Sequence, residues 1–331
     1  MPQGDRILVT GGSGFVGSAL LRRLIRGGSP VRALVRPGSR LSPDLEQDVE
    51  LVRGDIRDAS SVRTAMRNVR RVYHAAADYR LWSPDPKELF ETNVGGTRTI
   101  MEEALRAGVE RIVYTSSVAT LACNPDRRPA DETHSLDARL AVGGYKRSKI
   151  MAEALVRAMA GKGLPVIIVN PATPVGPYDV KPTPTGRIII EAAAGRMPCF
   201  VETGLNMVHV DDVAEGHLAA MEKGRIGERY ILGGQDRMLR DILAAIAALT
   251  GRSPPRLRIP RSLVFPVAVL AEAAARRTGR APFVTRDGLR MSRNLMFFSS
   301  AKAERELGYR ARPYEQGLED AISWFRKAGY L

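Results

Sequence analysis

The sequence predicts an α/β fold, a doubly wound parallel sheet with a smaller C-terminal lobe. Three observations carry this. Short apolar, β-branched runs alternate with helix-length amphipathic patterns through the first half of the chain. A glycine-rich turn, "TGGSGFVG" (10–17), falls between the first such run and the first helix. Beyond position 170 the alternation gives way to a proline-rich stretch and a different texture.

Taken in order, "RILVTG" (6–11) is a short strand and "SALLRRLIRGG" (18–28) an amphipathic helix ending in glycines. "PVRALVR" (30–36) and "VELVRGD" (49–55) read as the second and third strands, with a helix over 60–68 and a fourth strand over 71–77. A helix around 86–107, the strand "RIVYTSS" (111–117), a helix over 144–161 and the strand "PVIIVNP" (165–171) complete the alternation. Right-handed crossovers between parallel strands turn this pattern into a Rossmann domain, residues 1–170. The prolines of 170–187 predict a surface loop. After it come a helix at 188–195, a strand-like "MVHVDDV" running into a helix (213–222), a strand at 229–234 and a helix at 237–250. Residues 251–331 mix a proline-rich link, apolar helices and a closing helix over 314–328. Residues 171–331 are therefore read as mainly a substrate-binding lobe whose chain crosses back onto the first domain.

Composition removes several function classes. The 331 residues are 44% hydrophobic, enough for a sizeable core. The N-terminal residues are charged and then strand-like, so no signal peptide is expected. The longest apolar helix candidate, 263–275, is interrupted by Pro266 and falls short of the roughly 20 residues that span a bilayer. Cys123 and Cys199 read as buried thiols of a cytoplasmic protein, and no metal site is expected. The net charge of +14 is spread through every segment without interleaved aromatics, which argues against specific nucleic-acid binding. Weak attachment to an anionic membrane, at its inner face, is compatible with that charge.

The chemistry sits in a few motifs. Gly11, Gly14 and Gly17 permit a tight turn, close approach of a pyrophosphate and close strand–helix packing. The helix that follows offers free N–H groups and a partial positive charge to phosphates. At the end of the second strand an NAD enzyme usually carries Asp or Glu; this chain has Arg36 and then Arg40. Guanidinium groups there suit a 2′-phosphate, so NADP is expected and NAD left open, with solvent-facing arginines as the plain alternative. Asp55 stands either to accept from an adenine amino group or to cap a helix. "YTSSV" (114–118) places serines at the carboxyl edge of the sheet, and Tyr145 and Lys149, four apart, share one helix face. An ammonium beside a phenol lowers its pKa toward neutrality, where it can exchange a proton with an alcohol or carbonyl. Lys146, between them, is expected to be surface charge. The spacing alone proves little; the order of glycine turn, strand-end serines and Y-x-x-x-K helix is far more specific.

That order resembles the extended short-chain dehydrogenase/reductase family. "TGGSGFVG", "GDIRD", "HAAA", "NVGGT", "TSS", "YKRSK", "NPATPVGP" and "HVDDVA" fall in family order along nearly the whole chain. Within the family the chain is most similar to the dihydroflavonol-reductase branch and to hopanoid-associated sugar epimerases, through "AADYRLWSPDP", "TPVGPYDVKPTPTGRIII" and "MFFSSAKAERELGYR". The resemblance implies Ser117, Tyr145 and Lys149 as the catalytic residues. It implies a dinucleotide along Gly11, Ser13, Gly14, Phe15 and Val16, then Arg36, Arg40, Asp55 and Ile56. Ala75, Ala76, Ala77, Asn93, Thr115, Ser116, Pro171 and Thr173 would complete that groove. It also implies reversible hydride transfer, a small-molecule or lipid-linked substrate in hopanoid metabolism, and a homodimer. A non-catalytic cofactor sensor is the competing class, although such proteins tend to lose the serine or tyrosine.

One departure bears on the substrate. Nucleotide-sugar epimerases usually carry an Arg-Asp-Tyr ahead of the "HV" step, and this chain has Leu205, Asn206 and Met207 there. Arg187 is either a substitute for the missing cation or a surface residue. Tyr79, Trp82, Tyr178 and Met207 are expected to give the pocket apolar character, and His209 reads as structural.

Overall fold

A computed structural model of the chain describes residues 6–83, 85–279 and 281–331. The expectation about a signal peptide concerns residues that lie partly outside these. The first half runs β1 (Arg6–Thr10), α1 (Phe15–Arg26), β2 (Val31–Val35), α2 (Pro43–Glu46), β3 (Glu50–Arg53), α3 (Ala59–Ala65) and β4 (Val69–His74). It continues through α4 (Pro86–Phe90), a π-helical stretch (Glu91–Gly96), α5 (Thr97–Arg106), β5 (Arg111–Thr115), α6 (Gly143–Ala160) and β6 (Val166–Pro171). The lobe adds β7 (Thr173–Val175), α7 (Pro184–Ala193), β8 (Cys199–Phe200), β9 (Gly204–His209), α8 (Val210–Lys223), β10 (Arg229–Leu232), β11 (Gln235–Met238) and α9 (Leu239–Thr250). β12 (Leu257–Arg258), α10 (Arg261–Thr278), α11 (Arg286–Met291), β13 (Leu295–Met296), α12 (Ala301–Leu307) and α13 (Tyr314–Lys327) close the chain.

The main sheet has seven parallel strands in the order β10-β6-β5-β4-β1-β2-β3. Alternate residues of each strand feed opposite faces, so both faces must be apolar. Ile7 and Val9 join one core with Leu20, Leu24, Val213 and Leu232. Leu8 joins the other with Val72, Ile100, Val156 and Ile168. β1 pairs with β2 on one side and β4 on the other, so chain order reverses beside β1 and opens a crevice at the strands' carboxyl ends. β10 and the helices α8 and α12 return to this sheet from the second half of the chain.

A second, smaller sheet is built around β9, which pairs in parallel with β7 and β13 and antiparallel with β11. Its core, with α7, α9 and α13, includes Val175, Ile189, Met207, Ile246, Leu318 and Phe325. Three expectations are corrected here. The stretch 170–187 is not all loop: Thr173–Val175 forms a strand, and α7 starts at Pro184. Thr183 caps that helix by accepting from Gly186 N, and proline is tolerated in a first turn whose N–H groups lack partners anyway. The helix read around 86–107 carries a π-helical stretch at its middle. The helix read from 237 starts at Leu239, because β11 claims Gln235–Met238 for the sheet.

Candidate active site

A continuous cavity of about 1060 Å³ runs from the glycine turn, across the ends of β4, β5 and β6, into the C-terminal lobe. Its floor explains two glycines. Gly11 has φ +78°, and a Cβ there would lie 2.5 Å from Ala76 N. A Cβ on Gly17 would lie 2.1 Å from the Gly11 carbonyl oxygen, so α1 can seat on the turn only without one. Among the described residues no side chain caps α1. Ser13, Gly14, Phe15 and Val16 line the cavity at its N-terminus, where helix N–H groups have no intrahelical partner. Ala75, Ala76 and Ala77 form the opposite wall, and Asp55, Ile56, Pro171 and Thr173 lie along it. This cradle fits a dinucleotide.

Charge beside the end of β2 is distributed less simply than expected. Arg36 and Ser39 line the cavity, whereas Arg40 is exposed outside its lining. Asp55 does not cap a helix. Asp58 takes that role, accepting from Ser60 N and Ser61 N at 3.1 Å each. Asp55 instead receives Arg57 through N, Nε and Nη2 at 2.8–3.0 Å, and this hydrogen bonding, with Arg36 adding attraction, holds its carboxyl below the usual range.

At the ends of β5 and α6 the structure brings Ser117, Tyr145 and Lys149 together on the cavity wall. Ser117 caps a short 3₁₀ turn, Val118–Thr120, accepting from Ala119 N at 3.1 Å. The buried Lys149 Nζ donates to Tyr114 Oη at 3.2 Å and to the Thr115 carbonyl at 2.9 Å. Burial brings its ammonium down to about 8, with Glu153 opposing. The expected lowering of the Tyr145 pKa is not seen. Burial pushes this half-buried phenol up, the neighbouring Ser117 hydroxyl pulls it down, and Asp78 pushes it up again. Lys149 Nζ is turned toward Tyr114 Oη and the Thr115 carbonyl, its two acceptors here.

Other expected residues separate by the direction their side chains take. Thr115 and Ser116 line the cavity, but their hydroxyls are already engaged elsewhere. The Thr115 hydroxyl meets His217 Nε2 at 2.8 Å and the Ser116 hydroxyl donates to Glu153 at 2.5 Å. Asn93 is not in the lining: its amide is consumed in donating to the Asp78 carbonyl and Ser148 Oγ, both at 2.9 Å, while its oxygen accepts from Asp78 N at 2.7 Å. Ser148 in turn donates to the Tyr145 carbonyl at 2.8 Å, so Asn93 ties the Asp78 loop to the tyrosine's helix turn. It sits in the π-helical stretch, the local widening that such sites often carry. Lys146 is corrected in the opposite sense: it is half-buried in the cavity wall, and desolvation lowers its pKa.

Of the substrate candidates, Tyr79 and Tyr178 line the cavity. Tyr79 Oη donates to the Lys181 carbonyl at 3.3 Å, and Tyr178, at φ +70°, lies 3.5 Å under the Arg22 guanidinium. Trp82 is half-buried but outside the lining, which its neighbour Leu81 enters instead. Arg187 is exposed on α7; its charge is felt at Asp179 and Tyr79 without reaching the wall. Met207 is fully buried in the small-sheet core and outside the lining, which Leu205, two residues earlier on the same strand face, enters instead. His209 caps α8 by accepting from Asp211 N at 3.0 Å and meets Asp320 at 3.0 Å.

Sequence reading missed two features. Glu153, one turn beyond Lys149, is buried and accepts from Ser116, Thr120 and Asn170 while pairing with Arg229 at 2.8 Å. Its i+4 spacing from Lys149 was the available signal. The second is the apolar far end of the cavity, where Phe200, Leu205, Ile259, Val264, Leu289 and Phe298 form the lining.

A parallel sheet with a dinucleotide cradle at its switch point, facing a serine–tyrosine–lysine cluster, defines a nicotinamide-dependent enzyme of the short-chain type. Residues 7–233 match the model of the NAD dependent epimerase/dehydratase family, and the chain belongs to that family, the extended short-chain dehydrogenases/reductases. It is 42% identical to a Synechocystis protein provisionally assigned as dihydroflavonol 4-reductase, over 99% of this chain and 96% of that one. It is 38% identical to sterol demethylase protein B of Methylococcus capsulatus, over 98% of this chain and 99% of that one. The crystal structure of the protein gox2253 superimposes with a TM-score of 0.89 at 51% identity, covering 99% of this chain and all of the other. Among the described residues no helix is long and apolar enough to cross a membrane.

Proposed function

We propose that this protein is an NADP(H)-dependent oxidoreductase that interconverts a secondary alcohol and a carbonyl on a large apolar substrate, in hopanoid-type lipid metabolism. The observation carrying this reading is the apolar cavity continuing from Tyr145 to Leu289 and Phe298. The sterol-related name of a relative 38% identical over nearly the whole chain supports it. Residues 1–170 hold mainly the dinucleotide, with Arg36 toward a 2′-phosphate, and 171–331 mainly the substrate. A nicotinamide bound in the cradle would supply or accept the hydride. Tyr145 exchanges the proton with the substrate oxygen, and its raised pKa keeps it protonated at neutral pH, ready to donate to a carbonyl. Ser117 holds that oxygen as charge develops on it. Lys149, anchored on Thr115 and Tyr114, keeps a positive charge beside the site and would hold the ribose of a bound cofactor. A nucleotide-sugar epimerase is the weaker reading, since apolar Leu205 lies where such enzymes present a cation. The protein works in the cytoplasm, as a homodimer, on substrate held at the membrane's inner face.

The test is turnover of NADP with a polycyclic secondary alcohol beside a UDP-sugar. Oxidation of the apolar alcohol is expected, with kcat lowered about 10²–10⁴-fold by Tyr145→Phe. Full turnover by that variant, or conversion of the sugar nucleotide alone, defeats the proposal. Tighter binding of NADH than NADPH defeats the role given to Arg36.

A further inference from the structure

Helix α10 carries its apolar side outward. Leu263, Val267 and Leu270, at i, i+4 and i+7, form one stripe and are 67%, 45% and 71% exposed. The opposite stripe, Ala268, Glu272 and Ala275, is buried. Glu272 is the only carboxylate of the helix, and it faces inward, accepting from Arg286 N and Nε at 2.7 Å each. The outward face is therefore apolar without acidic charge. Beyond the helix, Phe283 is 83% exposed and yet stands at the cavity's edge, which Val264 of α10 also lines. The exposed apolar surface and the apolar cavity are thus continuous.

The rim of this surface is cationic. Among the described residues, 252–293 contain nine arginines against two carboxylates, Glu272 and Asp287. Arg261 lies at one end of α10 and Arg276 and Arg277 at the other, all exposed. An apolar stripe bounded by arginines suits an anionic bilayer, whose headgroups pair with the guanidiniums while the stripe enters the acyl boundary. A second copy of the chain suits it poorly, since a two-fold contact sets each arginine rim against its own copy.

We propose that the α10–Phe283 face docks on an anionic lipid surface and that the cavity takes its substrate from that surface. The second half of this statement rests on the apolar-substrate reading above; the docking itself does not. The test is co-sedimentation of the full chain with phosphatidylcholine vesicles, with and without about 30% phosphatidylglycerol. Binding to the anionic vesicles that weakens with salt is expected. Leu263→Ser combined with Leu270→Ser is expected to lower partitioning about tenfold or more. Arg276→Gln with Arg277→Gln is expected to lower it about fivefold per arginine and to flatten the salt dependence. Both double variants should keep the wild-type melting point and turnover of a short water-soluble alcohol, as neither pair lines the cavity. Tyr145→Phe should bind vesicles as the wild type does, which separates failure of docking from failure of the catalytic reading. The proposal is overturned if the wild type ignores both vesicles or if the leucine variant binds unchanged. It is equally overturned if the wild type is a dimer that the leucine variant dissociates.

Discussion

Lys149 is 2% exposed, and its Nζ has two oxygens, Tyr114 Oη and the Thr115 carbonyl, in place of a hydration shell. That exchange is incomplete, as the fall of its pKa to about 8 records. The folded state binds this proton less tightly than the unfolded chain, so the stability cost is full below pH 8 and fades as pH rises toward 10.5. A shift of this size corresponds to about 3 kcal/mol, part of which a substitution returns to the hydrogen bonds it breaks. Lys149→Met is therefore expected to be about 1–3 kcal/mol more stable than the wild type at pH 7, with the gain shrinking by pH 10. Its turnover should drop about a hundredfold or more. Urea titrations at the two pH values check this, and a variant less stable than the wild type at pH 7 contradicts it. Such a trade of stability for activity is what a catalytic lysine would show and a structural one would not.

Helix α6 joins the catalytic cluster to the sheet one turn further on. Glu153 gathers the Ser116 and Thr120 hydroxyls, the Asn170 amide and the Arg229 guanidinium, and so couples β5, β6 and β10 to the helix that carries Tyr145. Arg229 is itself buried and also donates to the Glu132 carbonyl and Ser135 Oγ. Removing the carboxylate would leave a buried cation unpaired. Glu153→Ala is expected to cost about 3–5 kcal/mol, and Glu153→Gln about 1–2 because the hydroxyl donors keep an acceptor. Denaturant midpoints decide it, and an alanine variant within about 1 kcal/mol of the wild type would show that the pair is not needed. The Y-x-x-x-K part of this helix was legible because residues four apart share a face. Glu153 obeys the same spacing, yet in a chain with 36 acidic residues nothing local marks the one that will be buried. That depends on Asn170 and Arg229 arriving from strands read separately.

Over the whole molecule, the seven-stranded sheet was readable because its strands are buried on both faces and appear as continuous apolar runs. The small sheet was not, since β7, β11 and β13 are two to four residues long and find their partners only through β9. The cavity's far wall escaped notice for the same reason: Ile259, Val264, Leu289 and Phe298 come from separate elements. Charge at this scale sets how the fold meets acid. His74 and His217 are fully buried and stay neutral, their pKa values depressed by burial to about 3 and about 4. The unfolded chain takes up protons on both near pH 6.5, so the stability they leave intact above that value is lost as pH falls toward 4. Asp179 works in the other direction: burial raises it to about 6, so its protonation returns stability as pH falls below 6. At pH 5 the histidines cost about 2 kcal/mol each and Asp179 returns about 1, while a net charge of +14 grows more positive and adds self-repulsion. The protein is therefore expected to lose about 3 kcal/mol between pH 7.5 and pH 5, measured by urea unfolding. His217→Gln, which keeps a hydrogen-bonding side chain without the titration, should remove about half of the histidine contribution to that slope. A stability flat across this range would mean that the two histidines are not held neutral by the core.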